Sequence, residues 1–225
     1  MPTGILTGAS RGLGLALGRA LVERGWRLVV DARSAEALAA AWAGKRHVVA
    51  IAGDVAEIEH RRALVDAAEG SIELIVNNAS VLGPSPQPAL REYPLQELRR
   101  VYEVNVMAPL ALAQLALPRL GPGARIVNVS SDAAVEAYEN WGGYGSSKAA
   151  LDHLSAILAA EQPELRIYAV DPGDMRTQLQ QEAFPGEDIS DRPAPDESVP
   201  GLLALVEGDL PSGRYRARDL VGAPA

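Results

Sequence analysis

Residues 4–21 read GILTGASRGLGLALGRAL. A short apolar run, GILT, leads into a turn with glycines at 8, 12 and 14, and the turn leads into an amphipathic run. A backbone that bends sharply while another group approaches it closely needs residues without a Cβ. The helix expected next, over 12–24, points its unpaired N–H groups and the positive end of its dipole at the space above the turn. Glycine patterns are common in loops, but a strand before and a helix after make this one a candidate phosphate cradle. Its spacing is Thr-Gly-x-x-x-Gly-x-Gly rather than Gly-x-Gly-x-x-Gly.

The alternation begun here continues along the chain. Val- and Ile-rich runs at 4–8, 27–32, 47–53, 72–79, 124–131 and 165–172 end in turn residues and read as buried strands. GRYRA, 213–217, is a candidate last strand. Helical stretches are expected over 12–24, 34–43, 56–69, 95–118, 142–161 and 196–207. Strand and helix in strict alternation predict an α/β fold, a doubly wound parallel sheet of about seven strands with helices on both faces. The 225 residues fit one domain, 1–225. FPGEDISDRPAPDESVP, 184–200, is rich in proline and acid, and we expect a substrate lid over about 174–200.

Composition narrows the function. The formal net charge is −8 and the pI is near 5.0, which counts against a nucleic-acid partner. With no cysteine there is no disulfide, thiolate metal site or thiol nucleophile. No metal is expected. The N-terminus lacks the pattern of a signal peptide, and no apolar run was expected to span a bilayer, so a cytoplasmic location without a membrane partner is the expectation.

Two lysines stand against nineteen arginines, and one of them, Lys148, follows Tyr144 by four residues where a helix begins. At that spacing the side chains are neighbours on one face. A free tyrosine has a pKa near 10, and an adjacent ammonium stabilises the phenolate and lowers it. A compact ammonium suits this better than a guanidinium fork. An exposed Tyr–Lys helix pair is the plainer alternative.

Taken in order, TGASRGLG (7–14), GDV (53–55), NNAS (77–80), Asn105, NVSS (128–131), YGSSK (144–148) and DPGDMRT (171–177) resemble the short-chain dehydrogenase/reductase family, at family-like intervals over nearly the whole chain. The resemblance implies a Rossmann-type sheet and a nicotinamide dinucleotide. Gly8, Ser10, Arg11, Gly12, Leu13 and Gly14 would form its phosphate turn. Asp54 would meet the adenine edge with Val55 beside it, or cap the next helix. Asn78, Ala79 and Ser80 would lie along the cofactor, Ser80 standing where the family has glycine. Pro172, Gly173 and Thr177 would turn over the nicotinamide, with Tyr144 and Lys148 beneath it.

The residue closing the second strand separates the two cofactors, since an acid there binds ribose hydroxyls and a cation suits a 2′-phosphate. On alignment Ala32 holds the acidic place and Arg33 follows, with Arg11 a second cation. NADP(H) is therefore preferred. A one-residue shift in register would put Asp31 on the ribose and favour NAD(H). The catalytic set implied is Asn105, Ser131, Tyr144 and Lys148: Tyr144 exchanges the proton, Ser131 holds the substrate oxygen, and Asn105 distorts its helix and holds a water leading to Lys148. Pro109 cannot donate to the Asn105 carbonyl, which leaves that carbonyl free. Ser130 should point to the other side of the strand.

The expected reaction is reduction of a carbonyl, or oxidation of an alcohol, on a small to medium-sized molecule. Val81, Leu82, Asp132, Ala133, Tyr138, Trp141, Met175 and Phe184 are candidate pocket residues. A homodimer or homotetramer is expected, the dimer pairing helices 95–118 and 142–161. Two rivals are a sugar-nucleotide epimerase or dehydratase, for which no substrate domain is present, and a nucleotide-binding sensor or scaffold without turnover.

Overall fold

A computed structural model describes residues 1–221. Residues 222–225, the end of the expected domain, lie outside it. Seven strands form one parallel sheet: β1 (Thr3–Leu6), β2 (Arg27–Ala32), β3 (Val48–Ala52), β4 (Ile72–Asn77), β5 (Leu120–Val129), β6 (Arg166–Asp171) and β7 (Gly213–Arg216). Their order is β3-β2-β1-β4-β5-β6-β7, and every pairing is parallel. The direction of winding reverses between β1 and β4, which opens a crevice beyond the strands' carboxyl ends.

The helices are α1 (Gly12–Glu23), α2 (Ala35–Trp42), α3 (Ile58–Ala67), α4 (Leu95–Tyr102), α5 (Ala108–Ala116), α6 (Gly142–Glu161), α7 (Gln178–Ala183) and α8 (Val199–Glu207). Successive strand residues face opposite sides. Leu6, Leu28, Val30 and Val76 pack under α1, α2 and α8, whereas Ile5, Val29, Ile75 and Ile126 pack under α3 and α5. Both faces being covered explains why the strands read as unbroken apolar runs. The exception is β3, an edge strand, where Val49 is exposed.

Several boundaries differ from the expectation for local reasons. The chain leaves the sheet at Leu6, Asn77 and Val129, so Gly8, Asn78–Ser80 and Ser131 lie in the turns above it. α3 begins at Ile58 with Glu57 at its N-cap, not at 56. The long helix over 95–118 is interrupted by a π turn at Glu103–Met107, where the Ala108 N–H reaches the Glu103 carbonyl. Within residues 174–200, expected as a substrate lid, lies a helix that was not expected, α7, capped by the Thr177 hydroxyl. The helical run Leu95–Arg119 is, contrary to expectation, long and apolar enough to cross a membrane by length and composition alone. Its apolar face is accounted for in the protein, where Leu112, Ala113 and Ala116 pack on the sheet.

A buried polar chain holds α6 in place. Asn77 Nδ2 donates to Asn128 Oδ1 (2.7 Å), Asn128 Nδ2 to Ser155 Oγ (2.7 Å), and Ser155 Oγ to the Leu151 carbonyl (2.7 Å). At the first turn, Gly8 has φ +69°, and a Cβ on Gly14 would stand 2.4 Å from the Gly8 carbonyl oxygen and 2.5 Å from Asn78 Nδ2. Gly14→Ala should therefore cost about 1–3 kcal/mol through overpacking. A lower denaturant midpoint checks this, and an unchanged midpoint would show that the turn yields freely.

Candidate active site

A crevice of about 1150 Å³ runs along the carboxyl ends of the strands. Every residue expected to touch the cofactor borders it, from Gly8 and Arg11 through Arg33, Asp54 and Ser80 to Lys148, Gly173 and Thr177. α1 starts beneath it with no side chain capping its first N–H groups.

Asp31 settles its own register. It is 1% exposed; Oδ1 accepts the Gly8 N–H at 2.7 Å and Oδ2 lies 2.9 Å from His60 Nε2. The carboxylate is thus engaged under the glycine turn, and the next two positions are apolar Ala32 and exposed Arg33. Arg33 has no hydrogen bond or ion pair among the described residues, while Arg11 donates to Gln178. Asp54 is not a helix N-cap. Burial opposes its ionisation, but the Ala56 N–H (2.9 Å) and the Arg100 guanidinium outweigh this and hold its carboxyl below the usual range.

Tyr144 and Lys148 share one face of α6 and are both buried. The ammonium donates to the Val129 carbonyl at 2.7 Å and lies 5.4 Å from the centroid of the Tyr144 ring. The phenol is raised rather than lowered, and the hydrogen bond of the ammonium goes to the Val129 carbonyl, which corrects the expectation that Lys148 lowers the phenol. Burial, then Asp132 and Asp171, raise the phenol well above its usual value, with hydrogen bonding from Ser131 and Ser80 acting the other way. Burial pushes the ammonium down to about 8, opposed by Asp152.

Ser131 Oγ donates to Asp132 Oδ1 (2.9 Å) and accepts the Ala133 N–H (3.2 Å). Ser130 was expected to point away, yet it also borders the crevice, and its buried hydroxyl has no partner. Asn105 does not border the crevice. Its Oδ1 accepts from the Val81 N–H (2.9 Å) and Ser80 Oγ (3.1 Å), and its Nδ2 donates to the Val81 carbonyl (2.9 Å) and Ser147 Oγ (3.0 Å). The side chain is saturated, so any bound water falls to the backbone carbonyl, as Pro109 suggests. Ser80, the departure from the family glycine, thus ties Asn105 to the phenol's surroundings.

Of the candidate pocket residues, Val81, Leu82, Asp132 and Met175 border the crevice. Ala133, Tyr138, Trp141 and Phe184 do not. Trp141 packs against Tyr138 (6.1 Å between centroids), Tyr144 (5.9 Å) and Phe184 (5.9 Å), buttressing the phenol from behind. Glu97, Arg100, Val101 and Val104 were missed; they form one stripe of α4 and the π turn, legible from their three- and four-residue spacing. Leu179 and Glu182 were hidden because α7 was not expected.

These residues fit a dinucleotide. The turn is closed to any Cβ at Gly8 and Gly14, arginines gather at one end, and an unpartnered buried hydroxyl waits near the other.

Comparison with known proteins agrees. A family model described as short chain dehydrogenase matches residues 3–188. A benzil reductase ((S)-benzoin forming) of Saccharomyces cerevisiae is 31% identical over 214 residues, covering 88% of this chain and 79% of that protein. A sepiapterin reductase of Mus musculus is 33% identical over 197 residues, covering 79% of this chain and 76% of that protein. The structure of a short chain dehydrogenase from Escherichia coli CFT073, complexed with NADPH, superposes with a TM-score of 0.88 at 26% identity and 96% coverage of both chains.

The lowered Lys148 makes a pH prediction. Between pH 8 and 10 the unfolded chain keeps a proton on this amine that the folded chain has released, so its contribution to stability rises with pH and is complete above the unfolded value of 10.5. Relative to Lys148→Met, the wild type should gain roughly 1–3 kcal/mol across that window. Urea melts at pH 8, 9 and 10 measure it; parallel trends for the two proteins would mean that the amine is solvated.

Proposed function

The chain belongs to the short-chain dehydrogenase/reductase family and is an oxidoreductase, and on that premise we propose that it is an NADP(H)-dependent carbonyl reductase. The observation that carries the reading is that Ser131, Tyr144 and Lys148 border the same crevice as the glycine turn.

Gly8 through Gly14 would hold the pyrophosphate. Arg33 and Arg11 would hold the 2′-phosphate, since Asp31 is engaged elsewhere and Ala32 offers no carboxylate. The nicotinamide, when bound, supplies the hydride for a carbonyl carbon. Tyr144 gives its proton to the carbonyl oxygen as charge develops there. Burial keeps the phenol in its protonated form, the form a carbonyl reduction draws on. Ser131 turns its hydroxyl from Asp132 to the same oxygen, fixing the carbonyl against the phenol. The Lys148 ammonium, anchored on the Val129 carbonyl, would hold the nicotinamide ribose. The Asn105 backbone carbonyl, to which Pro109 cannot donate, would begin the path that returns the proton.

Residues 174–200 act as a lid within a single domain. α7 is docked through Arg11 to Gln178 and Ser85 to the Glu182 carbonyl. The cytoplasm, and a homodimer or homotetramer, complete the proposal.

Tyr144→Phe should lower turnover at least about a hundredfold while leaving NADPH binding intact; turnover near wild type would remove the phenol from the mechanism. Arg33→Ala should raise the KM for NADPH about tenfold or more and leave that for NADH nearly unchanged. An equal rise for both cofactors, or a wild-type preference for NADH, would overturn the NADP(H) assignment.

A further inference from the structure

The crevice carries its charges unevenly. Arg11, Arg33 and Arg100 stand where the glycine turn, the end of β2 and Asp54 converge. The end around Tyr144 is bordered instead by four carboxylates: Glu97 of α4, Asp132 directly after Ser131, the buried Asp171 at the end of β6, and Glu182 of α7. Among the described residues, none of the four has a cationic side chain within 4.0 Å. Glu97 and Glu182 are exposed at the rim, whereas Asp132 is half-buried beside the reacting groups.

Asp132 is held in a fixed pose. Its Oδ1 accepts from Ser131 Oγ (2.9 Å) and the Ala133 N–H (2.8 Å), and its Oδ2 accepts from the Tyr138 hydroxyl (2.9 Å). Its charge is felt at the phenol of Tyr144 and at Asp171, both of which it raises. The cations at this end do not cancel it. Lys148 is turned to the Val129 carbonyl, the Arg214 guanidinium, which donates to the Ser131 carbonyl (2.9 Å), is paired with Asp152 (2.9 Å), and the Arg176 guanidinium donates to the Ser190 carbonyl at 3.2 Å. Val81, Leu82, Met175 and Leu179 make the remaining surface apolar.

We propose that Asp132 makes this site select substrates by charge: it accepts carbonyl compounds with an apolar body and a neutral or cationic group beside the carbonyl, and rejects carboxylates such as 2-oxo acids. The inference rests on the reading of the crevice as a carbonyl-reducing site. A substrate whose carbonyl oxygen reaches Tyr144 and Ser131 brings its α-substituent close to Asp132. There a second negative charge meets a fixed one across partly desolvated space, where Coulomb repulsion is much stronger than in water. Rejection by like charge is a specificity device that costs the accepted substrate little.

The test compares methyl benzoylformate with benzoylformate, which differ by one methyl group and one charge. The wild type should show the higher kcat/KM for the ester. Asp132→Asn keeps an acceptor for Ser131 and Ala133 while removing the charge, and should narrow the ratio about tenfold, mainly through the acid's KM. Raising the salt to about 1 M should compress the wild-type ratio, a check that needs no variant. A parallel arm, independent of turnover, measures calorimetrically whether the NADPH-loaded protein binds benzamide more tightly than benzoate, and whether Asp132→Asn removes the difference. Reduction of both substrates with a ratio unmoved by the variant and by salt overturns charge selection and leaves carbonyl reduction standing. Absence of turnover, with benzamide still favoured through Asp132, sustains charge selection and overturns carbonyl reduction. Absence of both turnover and any binding difference overturns both.

Discussion

The site depends on how three strand ends are knitted together. The Thr7 hydroxyl accepts the N–H groups of Asn78 and Ala79 at 3.0 Å each, and the Asn78 amide returns hydrogen bonds to the carbonyls of Thr7 (2.9 Å) and Gly8 (3.0 Å). From the other side Asp31 takes the Gly8 N–H, with His60 behind it. The turn after β1 is therefore pinned to the ends of β2 and β4 by groups that would be left unpaired in the interior if it moved, and such groups are costly to abandon. That network also explains the glycines, because the Asn78 amide lies too close to residues 8 and 14 to admit a Cβ at either, with the Ala79 backbone closing in on the first and the Gly8 carbonyl on the second.

A second anchor serves the chemical end. The Asn105 amide grips both backbone groups of Val81, and its helix opens into a π turn at the same point. Such a turn within a helix is a frequent mark of a functional position. The grip fixes the segment from Ser80 onward against α6, where the Asn77–Asn128–Ser155 chain and the Trp141 buttress set the position of Tyr144. Burial then governs the electrostatics. It keeps the phenol protonated and loosens the proton on Lys148, so the two proton affinities lie further apart than those of free tyrosine and lysine in water.

Much of this was legible in the linear chain. Strand and helix alternation came from apolar periodicity, and the crevice residues came from motifs that fall just past strand ends, where a parallel sheet presents its loops. What escaped had weak local signals. α7, six residues just before the proline- and acid-rich stretch, is too short to show a period, and it is docked by contacts with Arg11, Ser85 and Trp141. The π turn leaves no periodic trace, and Trp141 looks like a pocket residue until its packing is seen.

The sequence by itself determined the doubly wound parallel sheet, the glycine turn and the Tyr–Lys face of α6, because periodicity, Cβ-free positions and four-residue spacing are local properties of a chain. Only the tertiary structure decided where Asp31 spends its carboxylate, which face of the Tyr144 ring Lys148 meets, and which carboxylates stand unpaired beside the phenol. Those outcomes depend on burial and on partners distant in sequence, and neither can be read from neighbouring residues alone.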